Sequence, residues 1–234
     1  MIKAVIFDLG NTLVKFTGNP DEVNKKGVEL MHRVFSLKAI HIEFERLFQA
    51  WTRNRINAFR EADRTMKEIT ADEILDKTLD ELNITGLSEE LKKCAVDAFF
   101  TPEIEKYVLM DDAIDTLEYL KDNGKKLGLI SNATCHRFVL RLTRKFKIDV
   151  YFNEIMTSAG EGIRKPHPEI FKRMLNRLSV KSTESIMVGD MLDYDVVGAK
   201  SVGMRAALVV NGKPKPDWIV NNLNELKAQV IKIS

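Results

Sequence analysis

From Asp111 onward the chain repeats one rhythm, a stretch with helical spacing followed by a short apolar run. Ile114, Leu117 and Leu120 line a helix that Gly124 can close as the residue after its cap. Lys126–Ile130 then reads as a strand that stops at Ser131. A helix through Phe138, Leu142 and Phe146 follows, then a strand near Tyr151–Met156. Ile170, Phe171, Met174, Leu175 and Leu178 give another helical face, Ser185–Val188 a strand ending at Gly189-Asp190, and Ala206–Val210 the last core strand. The opening MIKAVIFDL supplies one more strand, whose near-continuous apolar run Ala4–Phe7 suits a position covered on both faces. Such alternation leaves one main solution, an α/β fold with a parallel sheet and helices on both sides.

Between about Thr17 and Glu105 the rhythm is lost and no strand pattern shows. Phe44, Leu47, Phe48, Trp51 and Phe59 sit at helical spacing and predict one long amphipathic helix, with Trp51 packed between helices. Thr70 and Glu73 have the spacing of a capping box, and Gly86 followed by Ser88-Glu89-Glu90 marks a break and the next start. The block therefore reads as an all-helical insertion after the first strand. The expected division is a discontinuous core, residues 1–16 and 105–234, and a helical domain, residues 17–104. The two connections are expected near Phe16–Asn19 and Thr101–Lys106. Arg53, Asn57, Arg60, Arg64 and Lys67 share one face if a single helix runs that far. That face is either an electropositive surface for a small anion or a solvated face opposite the apolar stripe.

Charge and composition narrow the class. Lys+Arg number 36 against 34 Asp+Glu, and a net charge of +2 gives no whole-protein pull on nucleic acid or anionic lipid. The apolar runs are too short to span a bilayer, and no signal-peptide segment precedes Asp8. Cys94 and Cys135 make neither a disulfide framework nor a zinc site, so a cytoplasmic location is expected. Met174 and Met187 fall on apolar faces and read as core; Trp218, after Pro214 and Pro216, packs near a last strand or covers a loop.

In open parallel sheets, ligands bind beyond the carboxyl ends of the strands. Here those ends carry Asp8, followed by Gly10, Asn11 and Thr12; Ser131-Asn132; and Gly189-Asp190. A later loop adds Lys165-Pro166. Asp8 and Asp190 can hold a hard cation such as Mg²⁺. Ser131 can donate to a phosphate oxygen, while Lys165 neutralises phosphate charge and separates the two acids. A carboxylate so placed can attack phosphorus and form an aspartyl-phosphate that water then hydrolyses.

With these residues on the page, the chain resembles the haloacid dehalogenase superfamily of hydrolases. The first motif is Asp8-Leu9-Gly10-Asn11-Thr12-Leu13, the second Ser131, the third Lys165, and the fourth Gly189-Asp190 with Asp195 beyond it. The resemblance implies a Rossmann-like core with a separate all-helical cap domain and Asp8 as nucleophile. It implies Mg²⁺ on Asp8, the Gly10 carbonyl and Asp190. Ser131, Asn132 and Lys165 would hold the transferring group, with Thr12 and Asp195 in support. The expected partner is a small phosphorylated metabolite, a triose or another sugar phosphate, handled by a monomer or homodimer without nucleic acid or membrane.

One position departs from the family's phosphatases, which usually carry a second Asp two residues after the nucleophile, as general acid and base. Here that residue is Gly10. His136 is the nearest titratable replacement in sequence, although a solvent-facing loop position is expected for it. Two alternatives stay open. One is a metal-free 2-haloacid dehalogenase in which Asp8 attacks carbon; the acids at Asp190, Asp193 and Asp195 argue against it. The other is a phosphate-binding module weakened in turnover at Gly10.

Overall fold

The structure is a computed structural model that describes residues 1–209, 218–220 and 223–232. Among these, contacts divide the chain into two units, Met1–Phe16 with Val108–Ser234, and Thr17–Tyr107.

Strand β1 (Ala4–Phe7) is buried along its whole length, as its apolar run requires. A short strand β2 (Val14–Phe16) follows and leads into the helical unit. That unit contains α1 (Pro20–Ser36), α2 (Phe44–Thr65), α3 (Ala71–Glu81) and α4 (Glu89–Glu105). The Asn19 side chain caps α1 by accepting the amides of Asp21 and Glu22. Thr70 and Glu73 form the expected capping box on α3, and Ser88 caps α4. Trp51 lies fully buried on α2 with its ring edge-on to Phe99 of α4 at 4.9 Å.

Three expectations fail in this unit. Phe59 is 55% exposed, because the buried face of α2 continues from Trp51 through Asn54, Ala58 and Ala62, small residues that a count of large apolar side chains passes over. Lys67 lies beyond the end of α2, so it cannot extend the basic face. Thr101–Lys106 is not a connection: α4 runs through Pro102 to Glu105, held by buried Phe99, Phe100 and Ile104 on either side of the proline.

Strand β3 (Tyr107–Leu109) pairs with β2 in a two-stranded sheet that no sequence pattern announces, since three residues are too few to show a period. Next come α5 (Ala113–Asp122), β4 (Lys126–Ser131), α6 (His136–Lys145) and β5 (Glu154–Thr157). Tyr151 belongs to a short 3₁₀ turn rather than to β5. After α7 (Ser158–Glu161) and α8 (Pro168–Leu178), β6 (Ser185–Gly189) returns to the sheet beside β1. A π-turn at Leu192–Val196 runs into α9 (Val197–Ser201), then come β7 (Arg205–Val209), β8 (Trp218–Val220) and α10 (Leu223–Lys232).

The main sheet has the order β5-β4-β1-β6-β7-β8, and the register of every neighbouring pair is parallel. β7 is therefore not the last core strand. Val210, Pro214, Pro216 and the Trp218 side chain lie outside the described residues. One face of the sheet packs Ile6, Ile130, Met156, Met187 and Leu208 against Phe171, Met174 and Leu178 of α8. The order places β1 between β4 and β6, so the residues following these three strands share one edge. Among the described residues no helix is long and apolar enough to cross a membrane.

Candidate active site

Asp8 sits one residue past β1 and is held on the ladder by its amide, which donates to the Val188 carbonyl at 2.8 Å. The chain then folds back on itself. The Leu9 carbonyl accepts the amides of Leu13 and Val14, and the Val14 carbonyl accepts the Asn11 amide. This turn needs a left-handed residue, and Asn11 supplies it with φ 51. The Asn11 side chain donates to Asp190 Oδ2 at 3.4 Å, tying the turn to the end of β6. The Gly10 carbonyl takes no part in the hydrogen bonds of the turn.

Lys165 is the centre of the site. Its side chain is 2% exposed, and its ammonium donates to Asp8 Oδ1 and to Asp195 Oδ1, each at 2.6 Å. The sequence reading set this lysine between Asp8 and Asp190; the structure puts Asp195 in the second place. Asp195 Oδ2 in turn accepts the Met191 amide at 3.1 Å. The carboxylate packs where a Gly189 side chain would be, and a Cβ there would overlap it. The π-turn brings Asp195 to this position five residues after Asp190. That spacing was the only signal for its central role.

Asn132, expected to hold the transferring group, spends both ends of its amide on Lys165. Its Nδ2 donates to the Lys165 carbonyl at 2.9 Å, and its Oδ1 accepts the Lys165 amide at 2.8 Å. Asn132 is thus a clamp that aims the lysine. Ser131 is buried at the end of β4, and Thr12 is fully buried with a hydroxyl that has no hydrogen-bond partner. Two buried hydroxyls at the edge of the sheet are suited to an anionic oxygen.

The charges do not balance. Carboxylate oxygens of Asp8, Asp190 and Asp195 lie within 4.8 Å of one another, and Lys165 supplies the buried cation among them. Burial pushes the Asp8 carboxyl up to about 7; Lys165 opposes this, while Asp195 and Asp190 add to it. Burial would lower the Lys165 ammonium, but the Asp195 and Asp8 carboxylates outweigh it and raise it above its ordinary range. Asp190 is raised too, first by burial and then by Asp195. An oxygen-only donor set with surplus negative charge fits a hard divalent cation. Asp8 Oδ1 accepts one hydrogen bond and Oδ2 none from a described residue, so the carboxylate keeps lone pairs both for a cation and for a substrate, whereas both Asp195 oxygens are engaged. Asp8, Asp190 and the Gly10 carbonyl are therefore the groups that could ligate.

Other candidates lie elsewhere. His136 is not on a solvent-facing loop: it is the first residue of α6, half-buried, with Nδ1 at 3.0 Å from Thr157 Oγ1. Burial pushes its pKa down. Cys135 is buried just before α6, and Asp193 is exposed. In the helical unit Arg53 pairs with Glu81 and Arg64 with Glu61, as a solvated charged face does.

A family model described as haloacid dehalogenase-like hydrolase matches residues 2–203. The glyceraldehyde 3-phosphate phosphatase of Pyrococcus abyssi is 29% identical over 215 residues, covering 91% of this chain and 83% of that protein. Among solved structures, a HAD phosphatase from Thermococcus onnurineus superposes with a TM-score of 0.64 at 24% identity, over 98% of each chain. A 2-haloacid dehalogenase from Pseudomonas syringae gives 0.67 at 22% identity over 100% of each. At those identities the two structures speak for the fold alone and do not choose between chemistries.

Proposed function

The chain belongs to the haloacid dehalogenase-like hydrolases, and on that premise we propose that it is a phosphatase acting on small phosphorylated sugars, trioses among them, with Asp8 as nucleophile and Mg²⁺ as cofactor. The observation that carries this reading is the unbalanced acid cluster. Asp8, Asp190 and Asp195 bring carboxylate oxygens within 4.8 Å of one another beside one buried lysine, Lys165, which bonds Asp8 and Asp195, and a carbon-attacking dehalogenase has no need of such an excess of negative charge. The relatives named glyceraldehyde 3-phosphate phosphatase support the choice of phosphoryl transfer and of a sugar substrate. The discontinuous core, residues 1–16 and 105–234, and the helical insertion, residues 17–104, are proposed as its two domains.

The chain's own residues account for most of the chemistry. Lys165 holds Asp8 Oδ1, so Oδ2 is left to face the phosphorus. Ser131, Thr12 and the Lys165 charge receive the phosphoryl oxygens as their charge builds. Oδ2 forms a bond to phosphorus while the bond to the leaving oxygen breaks, which gives an aspartyl-phosphate. Water then attacks phosphorus, the bond from phosphorus to Oδ2 breaks, and inorganic phosphate and a proton leave Asp8 as its carboxylate. A divalent cation held by Asp8, Asp190 and the Gly10 carbonyl would supply positive charge against the phosphate and the acids. Asp195 and Asn132 are positioning residues: each holds Lys165.

The test is release of phosphate or of halide from a small panel, with and without Mg²⁺. Phosphate release that a chelator and Asp8→Asn both abolish supports the proposal. Halide release indifferent to chelator gives the case to a dehalogenase. A phospho-enzyme burst without steady turnover gives it to a weakened binding module.

A further inference from the structure

We propose that Ser158 is a positioning residue for the phosphoryl group: its buried hydroxyl holds the segment Ser131–Ala133 where it receives the anion. The proposal rests on the phosphatase reading above and adds to it a residue that lies outside the motifs.

β4 has two neighbours in the sheet, and they part from it at different heights. The register with β1 ends at Phe7 opposite Leu129, whereas that with β5 runs on to Ser131 opposite Thr157. The parting from β1 makes the crevice beyond Asp8, and it leaves Ser131 to be held from the β5 side. One residue past the ladder on that side is Ser158, the first residue of α7. Its Oγ accepts the Ala133 amide at 2.8 Å and donates to the Ala133 carbonyl at 3.2 Å. The Ala159 amide donates to the same carbonyl. A side chain thus continues the backbone pairing two residues beyond Ser131.

Three consecutive residues are then fixed in three ways. Ser131 presents a buried hydroxyl, Asn132 clamps the Lys165 backbone, and Ala133 is gripped at its N–H and its C=O. The Asn132 clamp acts through a side chain, whose rotatable bonds leave the backbone room to swing. The Ser158 hydroxyl instead holds the peptide groups on both sides of the Ala133 Cα, which sets the direction of the main chain and with it the aim of Ser131. His136 Nδ1 and Thr157 Oγ1, 3.0 Å apart, continue the same seam into α6. Ser158 is fully buried, so it acts on a substrate only through Ala133.

The experiment compares Ser158→Ala with Ser185→Ala. Ser185 is a fully buried serine at the opposite end of the sheet, and its hydroxyl donates to the Ser182 carbonyl. Both substitutions should lower the urea midpoint by similar amounts. Only Ser158→Ala should lower kcat/KM, by about tenfold to a hundredfold, and equally for p-nitrophenyl phosphate and glyceraldehyde 3-phosphate, because the phosphoryl group is what the two share. Calorimetry on the Mg²⁺-loaded protein should show inorganic phosphate bound about tenfold more weakly. Combined with Ser131→Ala, the loss of phosphate affinity should fall short of the product of the single losses. Wild-type kcat/KM and phosphate affinity in Ser158→Ala overturn the proposal, as does the full product in the double variant. Should Ser158→Ala fail to fold, reciprocity supplies a measurement on the wild type. If the grip on Ala133 favours phosphate by about tenfold, saturating phosphate slows hydrogen exchange of the Ala133 amide by the same factor, and unchanged exchange overturns the proposal. A wild-type protein that neither binds phosphate nor releases it from either ester sinks the phosphatase reading instead.

Discussion

Replacing Lys165 by Met keeps the length of the side chain and removes its charge, leaving Asp8 and Asp195 facing each other under cover. Their oxygens lie within 4.8 Å of one another, and two unit charges at that separation repel by about 3–4 kcal/mol at an effective dielectric of about 20. Removing one partner from a buried ion pair costs about 3–5 kcal/mol, which agrees. The variant has one relief, uptake of a proton by Asp8. With Lys165 in place that carboxyl is already raised from 3.8 to about 7, and without it the value moves higher. Over the range where the native Asp8 holds a proton that the unfolded chain has released, native protein binds more protons than unfolded, so stability falls as pH rises. The expected loss relative to wild type is about 3–4 kcal/mol at pH 8 and half of that or less at pH 5. Urea unfolding followed by circular dichroism at matched ionic strength, without divalent cations, measures it. A loss of the same size at both pH values would mean that lost packing, not lost charge, is the cause, and would refute the reasoning. Adding Asp195→Asn to the variant should restore most of the loss.

Gly189→Ala drives a methyl into the Asp195 carboxylate, which cannot move without releasing Lys165 and the Met191 amide. A cost of about 1–3 kcal/mol is expected, with a fall in kcat, checked by unfolding and steady-state assay. Because burial, Asp195 and Asp190 hold the Asp8 proton up to about 7, a divalent cation must displace that proton. Its apparent affinity should rise between pH 5 and 7 and level off above, as read by calorimetric titration in buffers of different ionisation enthalpy. Trp51→Ala in the helical unit empties a fully buried site against Phe99 and should cost about 3–5 kcal/mol in thermal or urea unfolding.

Five strands of the main sheet, β1 and β4 to β7, and their order along the chain were legible because their cause is local. A run such as Ala4–Phe7 is apolar throughout because both faces of β1 are covered, and the capping pairs at Thr70 and Ser88 act within one turn. The candidate chemistry was legible for the same reason: Asp8 and Asp190 each follow a strand directly, and Ser131 ends one. What lay beyond the sequence was partnership. Lys165 reaches Asp8 across 157 residues and Asp195 across 30. Its choice of Asp195 over Asp190 depends on a π-turn that adds one residue to the helical period. The diversion of Asn132 to the Lys165 backbone, the burial of Asn54 in place of Phe59, and the pairing of β8 with β7 are likewise settled between segments. Sequence period reports which face of an element is covered. Only tertiary packing decides what covers it, because a hydrogen bond or an ion pair forms at distances of about 3 Å, and register, not composition, brings atoms that close.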